Sequence, residues 1–306
     1  MKLSLFVSDY VGYNLSLFFN LNSINIDYLV LDPINKNNYN EKIIHCFEGT
    51  KTQIVFYNES FYNNYSDNFK KIDIVFLIWW PYIIDKMFIK LPSIGVINTH
   101  PSLLPYNKGK NYNFWTIVED TPFGVSLHFV DSNIDSGDIL FQKKIIKTWE
   151  DTGKTIYLKA QKAIIDLFID SFPKIIAGNY SRIKQNKKSG TFHYGYEMNK
   201  VTIINLDQAY ITRELINLIR AKTFDPYPSC YFILNGRKYF VTSEIIKNRF
   251  PNRTFNRKEV SLNKKYIARD IFEIKKGKPK KKKLFFFKDK MNTYLFNLII
   301  SNNGTH

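Results

Sequence analysis

Cysteine is almost missing from this chain. The two present, Cys46 and Cys230, form neither a disulfide framework nor a metal-binding spacing, so the sequence reads as a reduced, cytosolic protein without a metal. No apolar run approaches the roughly 20 residues needed to span a bilayer. The N-terminus, MKLSLFVSDYVGYN, has too short an apolar core and no small-residue cleavage site for a signal peptide, and reads instead as a first strand. Glycine is scarce where a dinucleotide site would need it. The first turn carries Gly12 alone, not Gly-x-Gly-x-x-Gly. Acidic residues are the minority charge, with 27 Asp and Glu against 44 Lys and Arg, a net +17. Such an excess suits nucleic acid, a membrane surface or anionic small molecules. Much of it follows Lys247, however, so charge alone does not name a partner.

Phe and Tyr are abundant, and apolar runs alternate with helix-length polar intervals. Leu3–Val7, Tyr28–Leu31, Thr52–Phe56 and Ile72–Ile78 read as strands. Strands separated by crossovers imply parallel pairing and a Rossmann-like sheet. Lys154–Ala177 reads as one long amphipathic helix stopped by Gly178. Lys184–Gly190 is polar and loop-like. Beyond it, Asp207–Arg220 reads as a helix, and Cys230–Leu234, Asn235-Gly236 and Arg237–Val241 as a hairpin, since Asn-Gly between apolar runs favours a tight turn.

The chemistry concentrates in Ile94–Gln142. The short strand Ile94–Ile97 runs into Asn98-Thr99-His100, and a period of two puts the amide and the imidazole on one face. Pro101-Ser102-Leu103-Leu104-Pro105 must be a loop, because its prolines forbid both helix and central strand. A second strand, Phe123–Val130, feeds the turn Asp131–Gly137, which contains Asp135. Asn, His and Asp thus lie at strand ends, where open α/β sheets hold their chemistry.

Asn-x-His, then Ser-Leu-Leu-Pro, then Gly109, then Asp135-x-Gly137, in this order, resembles the folate-dependent formyltransferases, and most closely the nucleotide-sugar N-formyltransferases. The resemblance implies a catalytic trio of Asn98, His100 and Asp135, and N10-formyltetrahydrofolate as co-substrate. It places Trp80, Pro81, Tyr82, Ile84 and Asp131 at the folate. Gly12, Tyr13 and Asn14 stand either at the acceptor or in a plain β-to-α turn. Lys108 and Lys110 either meet phosphates or are ordinary exposed lysines; His193 is either a ligand contact or a loop histidine. The polar, aromatic segment Tyr106–Trp115 and the run Gly190–Tyr194 look like the sugar enzymes.

The implied fold is α/β, a Rossmann-like formyltransferase sheet with a small C-terminal helix-plus-β-hairpin domain. Its expected boundaries are 1–186, 187–247 (with a possible dimer contact), and 248–306, a basic extension of unknown structure. There the polybasic Lys275–Lys283 reads as a solvated tail or as a weak contact with anionic lipid. The function implied is formyl transfer to the amine of a nucleotide-linked amino sugar, of the dTDP-4-amino-4,6-dideoxyhexose kind, for surface polysaccharide synthesis by a homodimer. The rivals are methionyl-tRNA formyltransferase and an inactive formyltransferase-like binding protein. An intact trio speaks against the second.

Overall fold

The computed structural model describes residues 1–33, 39–186, 189–247, 258–259, 261–268, 272, 282–289 and 292–301. In chain order the elements begin β1 (Leu3–Val7), α1 (Asp9–Leu21), β2 (Tyr28–Leu31), α2 (Tyr39–His45) and β3 (Gln53–Phe56). Next come α3 (Phe61–Phe69), β4 (Ile74–Ile78), a 3-10 turn at Phe88–Lys90, β5 (Gly95–His100), β6 (Lys108–Gly109) and α4 (Tyr112–Val118). Then follow β7 (Gly124–Phe129), β8 (Ile139–Lys144), α5 (Gly153–Ile176), β9 (Phe192–His193) and α6 (Glu197–Val201). The chain ends with β10 (Ala209–Ile211), α7 (Thr212–Lys222), β11 (Cys230–Leu234), β12 (Arg237–Lys247), β13 (Lys258–Glu259), β14 (Lys265–Ile267), β15 (Lys282–Asp289) and β16 (Asn292–Ser301).

Two compact units result. The first comprises Met1–Gly109, Pro122–Ile145 and Lys159–Phe192. It is built on a seven-stranded sheet in the order β3-β2-β1-β4-β5-β7-β8, parallel from β3 through β5 and antiparallel at β7 and β8. Alternation along each strand sends aromatic side chains to both faces. On one face Phe6 packs with Phe61, Phe69 and Phe88. On the other, Phe76 meets Phe168 and Phe172 of α5, and both of these touch Phe19 of α1. A sheet covered on both faces has strands that are apolar throughout, as the fully buried β1, β2 and β4 are.

The second unit comprises Lys110–Thr121, Ile146–Leu158 and His193–His306. The division differs from the single break expected near residue 186, because α4 and the first turns of α5 pack with later elements. Tyr112 stacks with Tyr157, which touches Phe224. The buried Arg220 donates to the carbonyls of Thr148 and Asp151 at 2.9 and 3.0 Å. Its guanidinium also lies 4.9 Å from the centre of the Trp149 ring. Periodicity cannot reveal such partners, which are distant in sequence.

Two further expectations are corrected here. The helix expected over Asp207–Arg220 begins only at Thr212, since Ala209–Ile211 pairs with β14. The hairpin of β11 and β12 is not the end of the fold. It joins a five-stranded sheet, β11-β12-β16-β15-β13, in which Phe240–Lys247 pairs with Tyr294–Ser301. The expected extension of unknown structure therefore supplies strands. Within the polybasic run, Lys282 and Lys283 begin β15, and 275–281 lie outside the described residues. Among the described residues no helix is long and apolar enough to cross a membrane.

Candidate active site

The site lies at the carboxyl end of β5. Parallel pairing with β4 sets Leu77 opposite Asn98, and antiparallel pairing with β7 sets His128 opposite Asn98 and Ser126 opposite His100. Asn98 and His100 share one face, as a period of two requires. The turn after β7 brings Asp135 back to them. Its backbone takes φ +50, and the turn is tied by the Asp131 carboxylate, which accepts from the Asn133 N–H at 3.0 Å and the Ser136 hydroxyl at 2.6 Å. Gly137 is required by close approach, since a Cβ there would lie 1.9 Å from the Phe129 carbonyl oxygen. The Gln185 amide donates to the carbonyls of Asp135 and Gly137 at 2.9 and 2.8 Å.

Asp135 Oδ1 lies 3.4 Å from His100 Nδ1 and 3.6 Å from His128 Nε2, while its Oδ2 accepts the Gly109 N–H at 2.9 Å. His100 Nε2 faces the Asn107 carbonyl at 3.2 Å. His128 Nδ1 faces the Phe129 carbonyl at 2.8 Å; with its proton placed there, Nε2 accepts from the Asn98 amide at 3.3 Å. Sequence reading missed His128 and Gln185. The parity of β7 held a signal for His128, because Ser126 and His128 point the same way as the residues opposite them.

Burial alone would raise the Asp135 carboxyl. The two imidazoles and the Gly109 N–H outweigh it and hold the group well below the usual carboxylate range. For His100 the balance is reversed. Burial pushes the imidazole down, and the adjacent carboxylate recovers only part of that shift. Burial thus works against the charged form of His100, although both of its ring nitrogens face oxygen atoms, the Asp135 carboxylate and the Asn107 carbonyl. The donor atoms of His100, His128 and Asp135 all lie within 4.8 Å of one another, as a two-imidazole, one-carboxylate metal set would. The hydrogen bonds to Asn98, Asn107, Gly109 and Phe129 account for this convergence without an ion.

A pH dependence follows. Below about pH 6.5 the unfolded chain protonates this histidine while the folded site resists, so stability falls as pH falls. Asp135 adds a further loss below about pH 3.9, where the unfolded carboxyl protonates before the folded one. The melting temperature is expected to decline between pH 7 and pH 5, and His100→Asn to flatten that decline. An unchanged slope in the variant would locate the titrating group elsewhere.

The remaining candidates are distributed as follows. Trp80 packs edge-on against Phe6, Tyr57 and Tyr82, and Ile84 is buried in the same cluster, so both are core walls of their loop. Pro81 is exposed on that loop. Gly12 is buried in α1, its N–H bonded to the Ser8 carbonyl, as a β-to-α turn requires. Tyr13 lies against Tyr39, and the Asn14 amide donates to the Tyr10 carbonyl. The backbone N–H groups of Lys108 and Lys110 donate to the Thr191 and His193 carbonyls. In the second unit His193 is neither exposed nor loose. It stacks on Trp115 at 3.8 Å, with Glu119 at 3.0 Å and Glu197 at 3.1 Å from its ring nitrogens.

The chain belongs to the formyltransferase family. The Formyl transferase family matches residues 47–171, and the N-formyltransferase dimerization C-terminal domain matches 197–247. Methionyl-tRNA formyltransferase of Lactobacillus johnsonii is 30% identical over 72% of this chain and 71% of its own. The dTDP-4-amino-4,6-dideoxyglucose formyltransferase of Mycobacterium bovis is 26% identical over 49% of this chain and 64% of its own. The chain matches between 52% and 71% of the length of such curated relatives. Among solved structures, a 4-N formyltransferase from Francisella tularensis is 25% identical at a TM-score of 0.67, covering 79% of this chain and 96% of that one. An N-formyltransferase from Helicobacter canadensis, 17% identical at a TM-score of 0.66, shares the fold over 98% of this chain and 100% of that one. That fold includes strands beyond residue 247.

Proposed function

We propose that this protein transfers the formyl group of N10-formyltetrahydrofolate to the amine of a nucleotide-linked amino sugar. The observation that carries the reading is the buried contact of Asp135 with His100 and His128 beside the Asn98 amide. The acceptor amine attacks the formyl carbon, and the carbonyl oxygen becomes an oxyanion. The Asn98 amide and the His100 ring are the available donors, and each such donor is worth roughly 3 kcal/mol. Collapse breaks the bond from the formyl carbon to N10. The proton lost by the amine passes through Asp135 and His100, and ends on N10 of the departing tetrahydrofolate. No ion is needed for this balance.

In this reading the loop Trp79–Ile84 receives the pterin ring, with Asp131 ordering the neighbouring turn. Support for a sugar acceptor comes from the relative that acts on a dTDP-amino sugar, and from the aromatic segment after Gly109, which folds into α4 and stacks Trp115 on His193. The dimerization-domain match supports a homodimer. A cytoplasmic location and a role in surface polysaccharide synthesis follow from the acceptor proposed.

The rival acceptor is methionyl-tRNA, the substrate class named for another relative. A protein that grips tRNA neutralises several phosphates, so its affinity falls steeply with salt, whereas a sugar nucleotide offers only a diphosphate. The test uses the full chain at near-physiological salt, with methionyl-tRNA and a dTDP-linked 4-amino sugar as competing acceptors. Formylation of the sugar and none of the tRNA is expected. Formyl-methionyl-tRNA at a comparable rate would overturn the sugar assignment and leave the site chemistry standing.

A further inference from the structure

Beside the transfer site, one buried carboxylate takes no part in the chemistry described. Asp32 follows β2 and is only 6% exposed. Its Oδ2 accepts the Ser8 hydroxyl and its Oδ1 the Tyr82 hydroxyl, both at 2.9 Å. Its backbone carbonyl accepts from the Asn40 amide at 2.7 Å. Ser8 follows β1 and Tyr82 lies in the loop after β4. Since β2, β1 and β4 are neighbours in the sheet, one carboxylate ties three adjacent strand ends together. A buried carboxylate is tolerated only when such donors satisfy it.

The loop it holds needs an anchor. Trp79 takes φ +55 with its N–H on the Thr99 hydroxyl at 2.9 Å, which fixes the loop's start, and Ile84 fixes its end in the core. Between them Pro81 and Ile83 are exposed, and Ile83 is 75% exposed. Tyr82 lies at the midpoint, its ring 5.0 Å from Tyr57 and 5.3 Å from Trp80. Aromatic contacts of this kind let a ring slide. The hydroxyl bond to Asp32 sets its depth, and with it the direction of the neighbouring backbone groups. Burial and the Asp32 carboxylate push the Tyr82 phenol up to about 12, so it stays a donor throughout the working range.

We propose that Asp32 is a positioning residue for the folate: through the Tyr82 hydroxyl it holds the loop Trp79–Ile84 in the conformation that receives the pterin ring. This rests on the folate reading above. A flat heterocycle held by backbone groups needs those groups fixed within about 0.5 Å, which a loop with an exposed middle does not achieve by apolar packing alone.

The test is calorimetric titration with 5-formyltetrahydrofolate, together with kinetics in each substrate. Tyr82→Phe removes one oxygen and is expected to weaken folate binding about tenfold, the loss of one hydrogen bond to a charged group. The folate KM should rise in step, while kcat at saturating folate and the KM for the amino sugar hold. Asp32→Ala should do the same, and Asp32→Asn, which keeps an acceptor oxygen for Tyr82, should recover most of the affinity. If the Asp32 variants do not fold, Tyr82→Phe still decides the matter. Wild-type folate affinity in Tyr82→Phe overturns the positioning role, as does a loss of kcat and melting temperature without a change in folate KM. A wild-type protein that binds no 5-formyltetrahydrofolate overturns the folate reading itself.

Discussion

Replacing His100 or Asp135 with Asn is expected to lower turnover by about two to three orders of magnitude, the usual cost of losing an oxyanion donor or its charge partner. His100 is nine-tenths buried and within reach of Asp135, so its ring has no other orientation that keeps both the Asn107 and Asp135 contacts. Asp135→Asn keeps the shape of the turn and removes the charge. The Gly109 N–H can still find an oxygen, but the proton path between amine and N10 is broken. Because the groups act as a unit, the double variant should be scarcely slower than the worse single one. The measurement is kcat with an amino-sugar acceptor, alongside melting temperatures to show that the fold survives. Near-wild-type turnover in both single variants would remove the trio from the mechanism.

Truncation after Lys247 should be close to as damaging, for a different reason. The cut deletes β16, which pairs with β12 from Phe240 to Lys247, and with it the buried Tyr294, Phe296, Leu298 and Ile300. It also removes Phe272, whose ring stacks on Phe232 at 5.2 Å. Each such side chain contributes about 2 kcal/mol when buried, so their sum rivals the roughly 5–15 kcal/mol that holds a whole domain together. A truncated chain is expected to be insoluble, or to lose the second unit's cooperative melting while the first unit keeps its own. Circular dichroism and solubility would show this directly. A soluble truncated enzyme with unchanged melting would mean that β16 is dispensable, as a detachable basic extension requires.

The signal for β16 was present in Asn292–Ser301, where buried residues alternate at Tyr294, Phe296, Leu298 and Ile300. It was masked by the polybasic run Lys275–Lys283 that leads into β15, which invites the reading of a solvated tail. A charged stretch reports on its own solvation and says nothing of the strand that follows.

What the sequence determined by itself is local. The apolar runs of β1, β2, β4 and β5 specify buried strands, and the spacing of Asn98 and His100 specifies a shared face. Prolines force the loop after His100, and Asp135-x-Gly137 forms a turn that only glycine closes. These follow from backbone sterics and period, which act over a few residues. Tertiary structure alone decided which groups meet across the chain. His128 reaches Asn98 through an antiparallel register, Gln185 steadies the Asp135 turn from 50 residues away, and Asp32 joins Ser8 to Tyr82 across three strands. It also decided the direction in which the His100 pKa moves, because whether burial or Asp135 prevails depends on how much protein surrounds the ring. Desolvation is a property of packing, and no spacing along the chain encodes it.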